Sequence, residues 1–184
     1  MLSGCAKQQP SSSSDLNQQL IQAVDHRDAT LVCTLLDRGA NAAAKNERGD
    51  SVLVYAARSG DAAIVKLLLM KISDTDVKKE ALFQTTRGGP AMIEVDLATG
   101  QSIPKEKRSP WAETLGYLLD SGVPVDARDE ENSTPLISAA AHGQTDMAEF
   151  LISRGADINA TDKYGNSPLI AAACECAVAN RSGR

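Results

Sequence analysis

Few residues in this 184-residue chain have types and spacing that could do chemistry. His26 and His142 are its two histidines. Each could act as a general base or a metal ligand if a partner group stood within hydrogen-bond reach. Cys174-Glu175-Cys176 sets two thiols one residue apart, half of a zinc-type set that lacks its other two ligands. With Cys5 and Cys33 the cysteines number four, too few and too scattered for a disulfide framework. Asp129-Glu130-Glu131 is a run of carboxylates whose composition suits a solvated turn. No nucleophile stands beside a base and no ligand set is complete. The expectation is therefore no catalytic residue, no metal and no cofactor.

The elements that must position these side chains follow from composition. The chain holds 27 Ala and 18 Leu but only six aromatic residues. Ala and Leu favour helices, and Ala lets helix backbones approach closely. Aromatic bulk, the usual filling of a sandwich or a mixed core, is scarce. An all-α protein of thin, closely spaced layers is expected. Lys+Arg 19 against Asp+Glu 24 gives a net charge of −5. There is no basic stripe, so nucleic acid is not an expected partner. No apolar run of about 18 residues is present to span a bilayer.

Residues 2 to 5 read Leu-Ser-Gly-Cys, followed by Ala-Lys-Gln-Gln-Pro and four serines. This resembles a bacterial lipobox, in which small residues precede the Cys that receives the lipid. The resemblance implies lipidation at Cys5, residues 1–14 as a disordered Gln/Ser tether, and a periplasmic, membrane-anchored protein. The charged and apolar regions of a signal peptide do not precede Cys5, since Met1 stands four residues before it. The alternative is a plain polar tail on a cytoplasmic protein.

Self-comparison organises the rest. Leu136-Ile137-Ser138-Ala139-Ala140 recurs 33 residues later as Leu169-Ile170-Ala171-Ala172-Ala173. Leu20-Ile21-Gln22-Ala23-Val24 recurs at the same spacing as Leu53-Val54-Tyr55-Ala56-Ala57. Gly122 and Gly155 are 33 apart, and Gly39 lies 83 before Gly122, two periods plus 17. Residues 134 to 160 read TPLISAAAHGQTDMAEFLISRGADINA. This resembles the ankyrin-repeat pattern, and the resemblance covers residues 15 to about 177. Thr134 reads as a helix N-cap and Pro135 as first turn. Met147, Phe150 and Leu151 take helical spacing toward a core, and Gly155 follows the helix end.

The expected architecture is an all-α ankyrin-repeat solenoid of about five units with β-turn tips, filling residues 15–184. Asp15 reads as the N-cap of unit one, and Ser51-Val52-Leu53 opens the inner helix of unit two. Unit three is irregular. Its inner helix holds Ala81 to Thr86, with a Thr pair where other units have Ala, and the hairpin before it is about four residues short. Its outer helix is Trp111 to Leu119, with Ser109 and Pro110 at its start. An inserted loop falls at about 88–110, and within it Met92 to Gln101 reads as a small β-hairpin. The last unit has no outer helix, so fraying is expected after about Ala173. On this frame three repeats at roughly 10 Å each set His26 and His142 on the order of 30 Å apart, too far to share a metal or substrate.

The ankyrin resemblance implies binding of a protein through the concave face made by the tips and the ends of the inner helices. Carried over by position, the first tip offers Lys45, Glu47, Arg48 and Asp50, with Arg58 and Ser59 below it. The next offers Arg128, Glu130, Glu131 and Ser133, with His142 beneath. The last offers Thr161, Lys163, Tyr164 and Asn166, with Glu175 beneath. Asp25, His26 and Arg38 belong to unit one. Arg48, Arg58 and Tyr164 lead, because Arg and Tyr are favoured anchor types. The mixed signs point to a polar protein target. The function expected is a monomeric, non-enzymatic interaction module, an envelope-anchored immunity or accessory protein. A cytosolic scaffold or host-targeted ankyrin effector is the alternative.

Overall fold

The structure, a computed structural model, describes residues 13–88 and 110–181. The inserted loop, the β-hairpin read within it, Ser109 and the lipobox segment lie outside the described residues. The described chain runs through nine helices: α1 (Ser13–Asp25), α2 (Ala29–Asp37), α3 (Val52–Arg58), α4 (Ala62–Leu69), α5 (Thr75–Gly88), α6 (Pro110–Asp120), α7 (Pro135–Ala141), α8 (Thr145–Ser153) and α9 (Pro168–Arg181). The odd-numbered helices form an inner layer in which each touches the next, and α2, α4, α6 and α8 form an outer layer. This is the all-α repeat solenoid that the 33-residue period implies.

Four helix starts have a side-chain cap. Asp28, Ser51, Asp61 and Thr134 accept hydrogen bonds from the backbone N–H groups of Leu31, Val54, Ile64 and Ile137. Each satisfies a donor that the first turn would otherwise leave orphaned, worth about 1 kcal/mol apiece. Pro135 stands at the start of α7, where its missing N–H is not needed. At α1 the structure departs from expectation: Asp15 lies inside the first turn, because the helix begins at Ser13. A carboxylate there still meets the positive end of the helix.

The core is a thin seam along the stack. Leu20, Leu53, Leu82 and Leu136, the same repeat position in four units, are all buried. The outer helices add Val32 and Leu35, Ile64 and Leu68, Leu115 and Leu118, Met147 and Leu151. Each buried side chain of this size contributes about 1.5–3 kcal/mol. Ala56, Ala57 and Ala139 are fully buried where inner helices meet, and their smallness sets the close spacing. Phe150 is half-buried against the same seam. In unit three the Thr pair is buried as well. The Thr85 hydroxyl donates to the Ala81 carbonyl at 2.8 Å, and the Thr86 hydroxyl meets the Phe83 carbonyl at 2.8 Å and the Ser138 hydroxyl at 3.0 Å. Those bonds are what make a hydroxyl tolerable at an alanine site.

Two expectations change. The short connection before unit three is no hairpin at all. α4 ends at Leu69 and α5 already starts at Thr75, six residues ahead of Ala81. Asp74 Oδ1 accepts the Asp76 N–H at 2.9 Å there, and the residues a tip would use become extra helical turns. At the other end, α9 continues to Arg181 instead of fraying after Ala173. Ala and Cys are compatible with one long helix, and no glycine or proline interrupts the run.

Candidate protein-binding surface

Three β-turn tips project from the described stack, and one side chain builds each. In the first, Asn46 Oδ1 accepts the N–H groups of Arg48 (2.9 Å) and Asp50 (3.0 Å). In the second, Asp129 Oδ1 accepts those of Glu131 and Ser133, both at 2.9 Å. In the third, Asp162 Oδ1 accepts those of Tyr164 and Asn166, both at 2.8 Å, and its Oδ2 takes the Asn166 amide at 3.0 Å. The chain then turns through a left-handed residue: Gly49, Asn132 and Gly165 have φ of 86°, 58° and 82°. Asn tolerates that region better than other side chains, so it can replace the glycine. The sequence reading took Asp129 for a solvated acid and missed this scaffold. The signal was present: Asn46, Asp129 and Asp162 keep the 83 and 33 spacings of the glycines.

Burial pushes the Asp162 carboxyl up, but hydrogen bonds from the Asn166 side chain and from the backbone N–H groups of Asn166, Tyr164 and Gly165 outweigh it. The net effect holds it below the usual carboxylate value.

The second and third tips are tied to each other. Arg128 Nη1 donates to the Asn132 carbonyl of its own tip and to the Thr161 carbonyl of the next, both at 2.7 Å. The Lys163 N–H donates to the Glu131 carbonyl at 3.0 Å, and Lys163 Nζ meets Glu131 Oε1 at 3.2 Å. Tyr164 and then Glu131 push the Lys163 ammonium above its ordinary value. Arg87, at the end of α5, pairs with Asp129 at 2.8 Å. Of the surface residues expected from sequence, Arg128, Glu131, Ser133, Lys163 and Asn166 thus shape this half of the face by holding its tips together. Glu130 and Tyr164 stay exposed, Tyr164 at 67%, with Lys163 Nζ 4.9 Å from its ring centre. Beneath them His142 ends α7, its Nδ1 2.8 Å from the Ser138 carbonyl. A shallow groove of about 320 Å³ lies there, lined among others by Glu131, Ser133, His142 and Cys174. The side chains of Glu175 and Cys176 lie outside the described ones.

The first tip overhangs a second groove of about 350 Å³ between α1 and α3. It brings together Arg48, Asp50 and Arg58 from the expected set with Gln22, Asp25 and Tyr55. The Tyr55 hydroxyl donates to Asp25 Oδ1 at 2.5 Å, tying the two inner helices. That bond, then burial, push the Tyr55 hydroxyl above its ordinary value. The Arg58 guanidinium lies 5.6 Å from the Tyr55 ring centre. Lys45 and Glu47 are exposed on the tip, and Lys45 bridges to Ser51. Ser59 caps α3 and turns its hydroxyl onto the Ala56 carbonyl at 2.9 Å.

Two residues in this half of the stack, Tyr55 in the groove and Arg27 outside its lining, escaped the sequence reading. Tyr55 stands where other units carry Gln22, Gln84, Ser138 and Ala171, so a lone aromatic at a small or polar position was the available sign. Arg27 has φ of 56° at the site filled by Gly60 and Gly143 in later units. A side chain in that region costs about 1–2 kcal/mol. Its guanidinium crosses to the Ser59 carbonyl at 3.2 Å.

Trp111, the first large side chain of α6, supports this wall from behind. Its Nε1 donates to the Arg58 carbonyl at 3.3 Å, and its ring lies on Gly60. Among the described residues no group of three or more His, Cys, Asp or Glu could hold a metal ion. No described helix is long and apolar enough to cross a membrane.

Paired antiparallel helices, thin alanine-lined contacts and projecting turns define a helical-repeat recognition scaffold. The family model described as ankyrin repeats in many copies matches residues 118–172, and the single ankyrin-repeat model matches residues 48–80. The chain belongs to the ankyrin-repeat family, whose members are generally protein–protein interaction modules. No curated protein matches the chain.

Proposed function

We propose that this chain is a non-enzymatic recognition module that holds one protein partner on its concave face, with Cys5 as a lipid anchor to a bacterial envelope. The observation that carries the binding reading is the preorganised tips. Asn46, Asp129 and Asp162 fix three turns by hydrogen bonds to their own backbone, over two grooves lined by exposed polar side chains. A surface already ordered loses little conformational entropy when it binds. Anchoring rests on Leu2-Ser3-Gly4-Cys5 and the polar tract after it. A shielding or accessory role against a secreted protein suits an envelope address.

The test is site-specific photo-crosslinking in cells. A crosslinker at Tyr164 or Glu47 should capture one discrete partner, and one at Lys66, on the outer helix α4, should not. Equal capture at all three positions, or none at the concave ones, overturns the binding reading. The anchor is tested separately by palmitate labelling. Label that survives Cys5→Ser, or that never appears, removes the envelope address.

A further inference from the structure

The later tips are joined edge to edge. The Lys163 N–H donates to the Glu131 carbonyl, and the Thr161 carbonyl accepts from Arg128. Those two backbone groups of the third tip face the second. Their counterparts on the first tip, 33 plus 83 positions earlier, are the Glu47 N–H and the Lys45 carbonyl. No tip stands before the first to meet them. The positions 33 before Asn46 and Ser51 are Ser13 and Gln18, in the opening turns of α1. Lys45 pairs with Ser51 as a short antiparallel bridge. Its bonds run through the flanking residues, from the Asn46 N–H to the Asp50 carbonyl and from the Val52 N–H to the Ala44 carbonyl, both at 2.9 Å. The N–H and C=O of Lys45 therefore point away from Ser51. Among the described residues neither of these groups, nor the Glu47 N–H, has a hydrogen-bond partner. The result is a short open strand edge. Beside it lies a groove of about 720 Å³, lined by Asn17, Gln18 and Gln22 of α1 on one side and by Lys45, Asn46 and Glu47 on the other.

We propose that this edge takes an extended segment of the partner protein, which pairs with it as an added strand. One backbone carbonyl of the segment accepts the Glu47 N–H, as Glu131 accepts that of Lys163. A backbone N–H of the segment donates to the Lys45 carbonyl, as Arg128 does to that of Thr161. This rests on the reading of the tips as a partner-binding face and adds how the partner's backbone is held. Main-chain bonds supply the attraction, and side chains that alternate along the segment supply the selection. One set of them turns toward α1, where the exposed Gln18 and Gln22 amides can both donate and accept. The lining sets Lys45 and Arg48 against Glu47, close to neutral, so uncharged polar side chains suit it. A proline at the pairing position is excluded, because it has no N–H to give.

The substitution that isolates one bond is Glu47→Pro. Glu47 is the first central residue of the turn that the Gly49 N–H closes on the Asn46 carbonyl at 3.0 Å, a position where proline is favoured. The variant loses the N–H and keeps the turn. Glu47→Gln keeps the N–H and loses the charge. The probe is a fluorescein-labelled peptide of alternating Thr and Gln, about ten residues long, read by anisotropy against the full chain. Its Thr/Pro counterpart, which cannot pair as a strand, is the control. The Thr/Gln peptide should bind. Glu47→Pro should weaken it at least about fivefold, and Glu47→Gln less than about twofold. In the native chain the peptide should slow exchange of the Glu47 amide and leave that of Lys163 unchanged. Circular dichroism confirms that each variant is folded, and the Thr/Pro control and the exchange measurement decide the matter if Glu47→Pro is not. No binding at about 1 mM, equal binding of the Thr/Pro peptide, or full affinity in folded Glu47→Pro overturns the proposal. So does a Glu47 amide already protected in the free chain, where another segment of this chain or a second copy would be the occupant. A partner captured at Tyr164 while the peptide fails keeps the concave-face reading and overturns this one. Failure of both removes both.

Discussion

Gly60 is the position at which a single methyl group tests the junction behind the groove. It follows the C-cap of α3 with φ of 70°, and a Cβ built on it would lie 2.8 Å from Trp111 Cε2 and 2.9 Å from Nε1. Gly155 is a matched reference, with φ of 85° and nothing within 4 Å of its Cβ position. At either site Gly→Ala meets the left-handed penalty of about 1–2 kcal/mol. A stiffer unfolded chain offsets about 0.4–1 kcal/mol of that. Gly155→Ala should therefore cost about 1 kcal/mol. Gly60→Ala must also push the indole away, and forcing a methyl into packed space costs about 1–3 kcal/mol more. The indole cannot yield without losing its bond to the Arg58 carbonyl. The expected total is about 2–4 kcal/mol at Gly60. Urea unfolding followed by circular dichroism measures both, with Trp111 fluorescence as a local probe. In a Trp111→Leu background the two glycine substitutions should cost about the same. Equal costs in the unaltered chain would refute the claim that Trp111 is seated on Gly60.

Other outcomes follow from the tips and from the strained arginine. Asp162→Asn should keep the third tip, since Asn46 builds the first with the same geometry. Because the folded carboxyl titrates below its unfolded value, Asp162 stabilises the tip above the ordinary carboxylate range and ceases to as pH falls through the folded value. The Tyr164 and Asn166 amide signals in NMR should therefore shift with acid in the native chain and stay constant in Asp162→Asn. Arg128→Ala removes two carbonyl contacts across the tips and should cost about 1 kcal/mol, read as faster amide exchange at Lys163. Arg27→Gly relieves about 1–2 kcal/mol of backbone strain, and the lost Ser59 contact and the looser unfolded chain offset it. Its unfolding free energy, measured by urea unfolding, should stay within about 0.5 kcal/mol of the native chain. A loss of more than about 2 kcal/mol in that variant would mean that Arg27 is a structural residue.

The repeat was legible because solenoid packing copies the same demand at every unit. Leu20, Leu53 and Leu136 face the same seam, so the same residue returns after 33 positions and then after 83, two periods plus the 17 of the irregular unit. Thr134 and Pro135 announced α7 because capping is decided by adjacent residues. What escaped the reading depends on contacts between units. No periodicity says that Tyr55 will reach Asp25, 30 positions away, or that Trp111 will sit on Gly60. The face was legible as a set of positions, but which of its charges are spoken for was not. Arg128 and Arg48 look equivalent in a list of surface cations, and only the stacking of tips shows that one is anchored to Thr161.

That distinction traces to one irregularity. A tip in a solenoid of this kind has two tasks, to present side chains and to brace the tip beside it. In the later units bracing consumes Arg128, Glu131 and Lys163. Where α5 starts early and removes a tip, the brace has nothing to reach, and Arg48, at the position of Glu131, is left facing the groove. The deletion costs the interlocking of two tip pairs, exposed interactions of modest strength. It is replaced by extra turns of α5 packed against α3, so the stack itself is not interrupted. A break in the period that leaves the core continuous alters the surface alone. It therefore releases tip positions from bracing without a change of fold.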